Sequence, residues 1–396
     1  MSSRPRFFLG SFQPVLPRFR IEQAASLAWL AEAHAAATRD RPEAASPELL
    51  LKVAQRFGCG PSQIRERFHE PEDFSGRPTP DSLVFAPLSR RMGFYGRALD
   101  RVFAEFYPEE AALGGRSAPA ELLHVSCTGY LSPSAAQIRV AQLGWGNQTR
   151  VTHAYHMGCY AALPALRMAQ GSLLREALHS PSSASPRIDV AHTEICSLHF
   201  RPGVDAADQW VIQSLFADGF IRYELTSEPR GDAALELLTT DEVLVPGTRD
   251  QMTWVPEEQG FAMTLGREVP REIARGVGPF VERLLARLDV AGEASDSRTP
   301  CFYAVHPGGP KIVDAVEETL GLSTEQTLHS REILRSRGNL SSATLPHIWD
   351  ALLKEREIPH GARVVSLAFG PGLTLCGSVF RVHRKGDPRT NRERVL

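Results

Sequence analysis

The chain has 396 residues, with 44 Lys and Arg against 46 Asp and Glu, a formal net charge of −2. That balance lacks the basic excess of a nucleic-acid-binding domain, and no run of about 18 apolar residues suggests a membrane span. The stretch Met1–Gly10, MSSRPRFFLG, has too short an apolar core for a secretory leader, so a cytoplasmic location is expected, with two or three domain-sized units from the length.

The first expected helix covers Ile21–Thr38, alanine-rich with Leu27, Leu30, Ala31 and His34 at helical spacing, and is closed by Pro42 and Pro47. A second runs over Pro47–Phe57. Gly58–Asp81, rich in Gly, Pro and charge, reads as a long loop, and Ser89–Phe106 as helix. Strand-like runs follow at Glu121–Cys127, Arg150–Tyr155, Ile188–Phe200 and Ile221–Thr226, with helices at Ser134–Leu143 and Tyr160–Ala177 between them. PSSASP, Pro181–Pro186, reads as a surface loop. Past Leu238 the pattern restarts, with strands at Gly260–Gly266, Cys301–Val305, Val364–Phe369 and Leu373–Val382. Helices are expected at Val269–Asp289, Lys311–Leu320 and Ser341–Glu357. The alternation is that of an α/β protein, and it divides the chain into halves of similar make-up, 1–238 and 239–396. The stretch Lys385–Leu396 reads as an exposed basic tail.

Six cysteines, Cys59, Cys127, Cys159, Cys196, Cys301 and Cys376, are scattered without a C-x-x-C pair. Free thiols are therefore expected in a reducing compartment, with no zinc ribbon and no metal site. Four segments carry candidate chemistry. In GCYAA, Cys159 follows a strand-like run and precedes a helix, where the helix dipole favours a thiolate nucleophile; a buried structural cysteine fits the same pattern. Gly158 permits the sharp turn, and Pro164 is tolerated in the first helical turn. In FYAVHPGGP a strand delivers His306 to a turn fixed by Pro307, Gly308, Gly309 and Pro310, which suits either a site or a structural histidine. In RGNLSSA, Asn339 and the serines after it read as a functional amide or as a helix cap. In FGPGLT, Gly370, Pro371 and Gly372 form a tight hairpin or a backbone floor beneath a substrate. The Cys–His–Asn order is that of papain-type proteases, but GCYA is not their Gly-Ser-Cys-Trp type and the cysteine lies deep in the chain.

GCYAA, HPGGP, GNLSSA and FGPGLT in this order resemble the type III polyketide synthases, the chalcone and stilbene synthase family, from roughly residue 45 to the end. The resemblance implies a thiolase fold, α/β in five layers αβαβα built from two similar halves, and a homodimer. It also implies a triad of Cys159, His306 and Asn339, with His306 paired to the thiolate at rest and no metal or organic cofactor. Substrates would be carried as acyl-coenzyme A and malonyl-coenzyme A, or on an acyl carrier protein. Phe216 in SLFADG matches a gate phenylalanine, and Met263 falls on the second gate position. Cys196 and His199 in EICSLHF, and Ser341, fall on cavity positions, while Gly308, Pro371 and Gly372 frame it. Where the plant enzymes cluster Lys and Arg on the coenzyme A phosphates, this chain has AQRFGCGP, with only Arg56, nearby Lys52, and Arg267 elsewhere. The first Gly of the usual GFGPGLT is Ala368, and CTGYLSPSAA is shorter than the plant stretch.

The expected activity is Claisen condensation giving an alkylpyrone or resorcinol-type product. The runner-up resembles the stand-alone ketosynthases of pyrone antibiotic pathways such as myxopyronin and corallopyronin, which join two carrier-bound β-keto chains. A fatty-acid-type ketoacyl synthase and a non-catalytic scaffold subunit are the remaining alternatives.

Overall fold

A computed structural model describes residues 5–109, 117–179, 186–204, 206–290 and 299–386. Residues 181–185 of the expected surface loop, and all of the basic tail beyond Gly386, lie outside them. The strands are β1 (Phe8–Val15), β2 (Phe19–Glu22), β3 (Glu66–His69), β4 (Glu121–Ser126), β5 (Arg150–Tyr155), β6 (Arg187–Ile195), β7 (Asp218–Thr226), β8 (Ala233–Leu244), β9 (Met252–Glu257), β10 (Gly260–Leu265), β11 (Cys301–Val305), β12 (Arg363–Gly370) and β13 (Thr374–Arg384). The helices are α1 (Gln23–Thr38), α2 (Pro47–Phe57), α3 (Leu88–Phe106), α4 (Ala135–Gln142), α5 (Ala162–His179), α6 (Ala207–Leu215), α7 (Val269–Val290), α8 (Pro310–Leu320), α9 (Leu328–Arg337) and α10 (Thr344–Lys354).

Helix ends follow local chemistry. Ser46 caps α2 by accepting the Leu49 N–H, and Pro47 occupies the first helical position, where no amide donor is needed. Ser134 and Gln137 form a reciprocal capping box on α4. Pro310 opens α8 and Gly321 closes it in the left-handed conformation, φ 63°.

Nine strands form one continuous sheet in the order β11-β12-β13-β8-β1-β7-β6-β4-β5. The seam is narrow, because β1 meets β8 only at Phe8–Glu236 and Leu9–Leu235. On either side the topology repeats. β1, β7 and β6 run antiparallel in turn, with β4 parallel to β6. β8, β13 and β12 do the same, with β11 parallel to β12. The first half adds β5 outside β4. The two halves are thus related by topology, without a sequence repeat to announce it.

Helices α5 and α10 lie between the halves. Their apolar faces share one core with inward residues of β4, β6 and β7 and of β8, β11, β12 and β13. Trp349 of α10 shows this directly, touching Tyr223 of β7 at 6.0 Å and Phe380 of β13 at 5.4 Å between ring centroids. Helices α3 and α4 cover the outer face of the first half, and α7 and α8 that of the second. The result is the expected αβαβα layering. Strands β6 and β7 are buried along their whole length, as strands covered on both faces must be. Among the described residues no helix is long and apolar enough to cross a membrane.

Several expectations shift. Ile21 and Glu22 belong to β2, not to the first helix, because they pair with Arg67 and Glu66 of β3. That pairing also places a strand inside the stretch read as a loop. Ile188–Phe200 splits into β6 and a 3-10 turn over Cys196–His199. Strands β1, β8 and β9 and helices α6 and α9 were not expected, and β8 runs across residue 238.

Candidate active site

The nucleophile loop leaves β5 at Tyr155 and enters α5 at Ala162. Between them His156 sits at φ 60° and Gly158 at φ 86°. The His156 backbone N–H donates to Ser126 O at 2.9 Å, and its Nε2 donates to Trp254 O at 2.8 Å, which holds a conformation that side-chain-bearing residues rarely adopt. A Cβ on Gly158 would lie 2.5 Å from Pro371 Cδ, and one on Gly370 would lie 2.1 Å from Tyr160. The GCYAA and FGPGLT segments therefore pack backbone against side chain. The second is both the β12–β13 hairpin turn and, through Pro371, a wall of the cavity. We expect Gly158→Ala to lower stability by about 2 kcal/mol from the positive φ and the clash and to slow thiol acylation. Denaturant unfolding together with mass spectrometry of the protein checks both.

Cys159 is buried, with its Sγ 3.9 Å from Ser341 Oγ. Burial pushes the thiol up to about 12; the Ser341 hydroxyl and the Asn339 amide pull in the other direction, while buried Glu194 adds to the rise. Desolvation is the largest influence on the thiol, and Cys159 precedes the first residue of α5 by three positions.

Asn339 follows Gly338, itself at φ 78°, and is bridged to the end of α6. Its N–H donates to Leu215 O at 2.9 Å, and its carbonyl accepts from Ala217 N at 2.8 Å. Oδ1 accepts from Ser341 N at 2.8 Å, while Nδ2 is buried with no partner. Asn339 does not cap the helix that follows, whose N-cap is Ala343; its amide oxygen instead holds the turn to Ser341, and its nitrogen has no protein partner. His306 leaves β11 with its N–H donating to Leu367 O at 2.8 Å. Its ring is 1% exposed, neither ring nitrogen has a hydrogen-bond partner, and burial pulls it down to about 3. Burial disfavours the charged form of both the histidine and the cysteine. The turn after His306 lies beside the same bridge, since a Cβ on Gly309 would sit 3.8 Å from Leu215 Cδ2.

Cys159 opens onto a cavity of about 590 Å³, part of it open to solvent. Cys196, His199, Phe216, Met263, Ser341 and Pro371 line it with Cys159. His306 and Asn339 are buried and are not among its lining residues, and neither are Gly308 and Gly372. Lys52, Arg56 and Arg267 are exposed and away from the cavity; Arg56 lies over the ring of Phe57. His199 is locked, donating from Nε2 to Thr128 O at 2.8 Å, accepting the Phe261 N–H at Nδ1 (3.0 Å), and stacking on Phe261 at 4.2 Å. Burial pulls it down to about 3, so it is a neutral wall and not a base.

Two groups were missed. The β9–β10 hairpin supplies Met252, Thr253, Trp254 and Phe261 to the cavity. Its sign in the sequence is the turn Glu257-Glu258-Gln259-Gly260 between two short apolar runs. The other is Glu194, a carboxyl inside a fully buried strand. It accepts Cys127 N–H at 2.9 Å and Thr128 Oγ1 at 3.0 Å, and it bonds Ser342 Oγ. All six cysteines are free, and among the described residues no cluster of three or more His, Cys, Asp or Glu is placed to hold a metal.

Residues 236–383 match the family described as chalcone and stilbene synthases, C-terminal domain. The chain belongs to the type III polyketide synthase family. It is 32% identical over 267 residues to type III polyketide synthase C of Arabidopsis thaliana, spanning 66% of each chain. It is also 31% identical over 264 residues to probable polyketide synthase 1 of Dictyostelium discoideum, 66% of this chain and 8% of that protein. The matched stretches thus cover less than two thirds of these relatives' own length. The C-terminal type III polyketide synthase domain of Steely1, a type I/III hybrid from Dictyostelium, superposes with a TM-score of 0.77. That likeness covers 95% of this chain and 99% of that one at 24% identity, and it establishes the thiolase fold.

Proposed function

We propose that this type III polyketide synthase-like chain is a condensing acyltransferase in which Cys159 carries an acyl group that a decarboxylating malonyl or β-ketoacyl thioester extends. The observation that supports this most is the unused donor of Asn339, buried beside a cysteine that opens onto an apolar cavity. A buried amide without a partner is costly and calls for a ligand oxygen.

In the proposed sequence His306 accepts the Cys159 proton as the thioester binds. The thiolate adds to the thioester carbonyl and expels the donor thiolate, which takes up a proton. The malonyl unit then loses carbon dioxide. The electron pair of the broken C–C bond becomes an enolate, whose oxygen receives hydrogen bonds from Asn339 Nδ2 and the His306 ring. The enolate carbon attacks the acyl carbonyl on Cys159, the C–S bond breaks, and the thiolate is released with a β-keto chain formed. Further extensions by the same step lengthen the chain. Attack of an enol oxygen of the triketide on its thioester carbonyl then expels the carrier thiol and gives an alkylpyrone. Carbon–carbon closure of the tetraketide, with loss of water, thioester hydrolysis and decarboxylation, gives a resorcinol-type product. This scheme draws on no cofactor. The chain is proposed to act as a cytoplasmic homodimer, with the half before β8 supplying the nucleophile and the half from β8 onward the enolate-binding groups.

The Phe216 and Met263 gate favours flexible aliphatic chains over planar aromatic starters, because Met adapts its shape. Met263→Phe should lower kcat/KM for long-chain relative to short-chain acyl donors about tenfold. A marked preference of the unaltered enzyme for a coumaroyl-type starter would overturn the aliphatic assignment.

A second reading, delivery of two carrier-bound chains to make an α-pyrone, is favoured by the sparse basic residues of α2. Lys52 and Arg56 there sit beside exposed Leu49 and Phe57, a poor cradle for coenzyme A phosphates. Intact-protein mass spectrometry of Cys159 after incubation with acyl-coenzyme A and, separately, with acyl carrier protein thioesters decides between donors. Loading from neither would sink the condensing-enzyme reading.

A further inference from the structure

Arg67, on β3, has no exposed surface, yet its hydrogen bonds all go to neutral groups. Nε donates to Gln23 Oε1 at 2.9 Å and Nη2 to Ser26 Oγ. Nη1 spends its two hydrogens on the carbonyls of Gln213, at 2.8 Å, and Phe216, at 2.5 Å. Those carbonyls close the C-terminus of α6, where helix carbonyls lack partners and a cation is favoured. The stem of the same side chain lies beneath Gly338. A Cβ there would sit 3.1 Å from Arg67 Cγ and Cδ and 2.9 Å from Leu215 O. Arg67 therefore grips both sides of the backbone bridge that carries Asn339, through Phe216 O on one strand and Gly338 on the other.

We propose that Arg67 is a positioning residue, whose guanidinium fixes the Leu215–Ala217 segment and through it aims the Asn339 amide at the enolate oxygen. This rests on the role given to Asn339 in the proposed function. The planar fork matters as well as the charge, since a lysine ammonium cannot reach these acceptors along the same directions. A buried cation with no hydrogen-bonded carboxylate is costly to keep; Asp218 attracts this one through space, while its hydrogen bonds hold two helix-end carbonyls rigid beside a group whose geometry controls the chemistry.

The test separates the half-reactions in the full-length protein. Arg67→Met should lower malonyl-thioester decarboxylation about 10- to 100-fold, the scale of a displacement near 1 Å, while acyl loading of Cys159 stays within about threefold of the unaltered protein. Arg67→Lys should fall between. In an Asn339→Ala background Arg67→Met should add no further loss, because the two act as one unit. A fully additive loss, or equal loss of both half-reactions, would overturn the proposal. If Arg67→Met gives no folded protein, Gln23→Met loosens the same guanidinium, and its smaller defect must also vanish in the Asn339→Ala background. Wild-type decarboxylation in Asn339→Ala alone would instead remove the reading of Asn339 itself. A deep Asn339→Ala defect with additive Arg67→Met removes only the role of Arg67.

Discussion

Cys159→Ala should abolish covalent acyl loading and reduce condensation by about 10⁴-fold or more, as removal of a nucleophile does in enzymes that work through one. Stability should change by less than about 1 kcal/mol, because the thiol borders a cavity and its loss removes little packing. Mass spectrometry for the adduct, product assay and thermal unfolding make the three readings. The result is sharp because the thiol pKa does not single this cysteine out. Burial pushes Cys59 up to about 11 and raises Cys127, Cys196 and Cys376 as well. Cys127 and Cys196 even share the cavity. What distinguishes Cys159 is the Asn339 amide, which stabilises a thiolate once a proton leaves; the Ser341 hydroxyl acts on both Cys159 and Cys127. An acyl adduct on Cys127 or Cys196 in the Cys159→Ala protein would overturn the assignment.

The motifs were legible because each is a turn whose geometry demands particular residues. Gly158 has no room for a Cβ against Pro371, Gly338 meets Leu215 O and Arg67, and Gly309 adopts φ 141°. Such positions leave a mark in the sequence that strand pairing does not. Strand β1 was invisible because FLGSFQPV carries a proline and a bulge between Gly10 and Gln13, so its alternation is broken. Strand β3 hides in ERFH, four residues of mixed charge, and is a strand only because Phe19–Glu22 pairs with it. Helix α9, LHSREILRSR, buries only Ser330, Ile333 and Leu334, too narrow a stripe for the pattern to show. The site followed the same division. Residues adjoining Gly and Pro turns were found, whereas Arg67 and Glu194 were not, because a charged residue looks solvent-facing until the fold closes over it.

Glu194 supplies the second large expected effect. Burial raises its carboxyl from 4.5 to about 7, against the pull of hydrogen bonds from Ser342, the Cys127 backbone and Thr128. Since the folded value exceeds the unfolded one, the stabilisation from the neutral acid is complete below pH 4.5 and is lost as pH rises through about 7. The amount is on the order of 3 kcal/mol for a rise from 4.5 to about 7. Glu194→Gln, which cannot ionise, should abolish this component. Asp218, also raised to about 7, titrates in the same window and is present in both proteins, so the difference between their stability curves isolates Glu194. Urea unfolding from about pH 5 to about pH 8 should give a difference curve that favours the variant progressively as pH rises, and a flat curve would refute it. The chain of contacts adds a second consequence. Ser342 Oγ donates to Glu194 and lies 3.2 Å from His192 Nδ1, so one hydroxyl ties the carboxyl to a buried histidine. The ionised carboxylate also repels a thiolate at Cys159. Glu194→Gln should therefore raise the alkylation rate of Cys159 above pH 7 and leave it unchanged near pH 5, where the native side chain is already neutral.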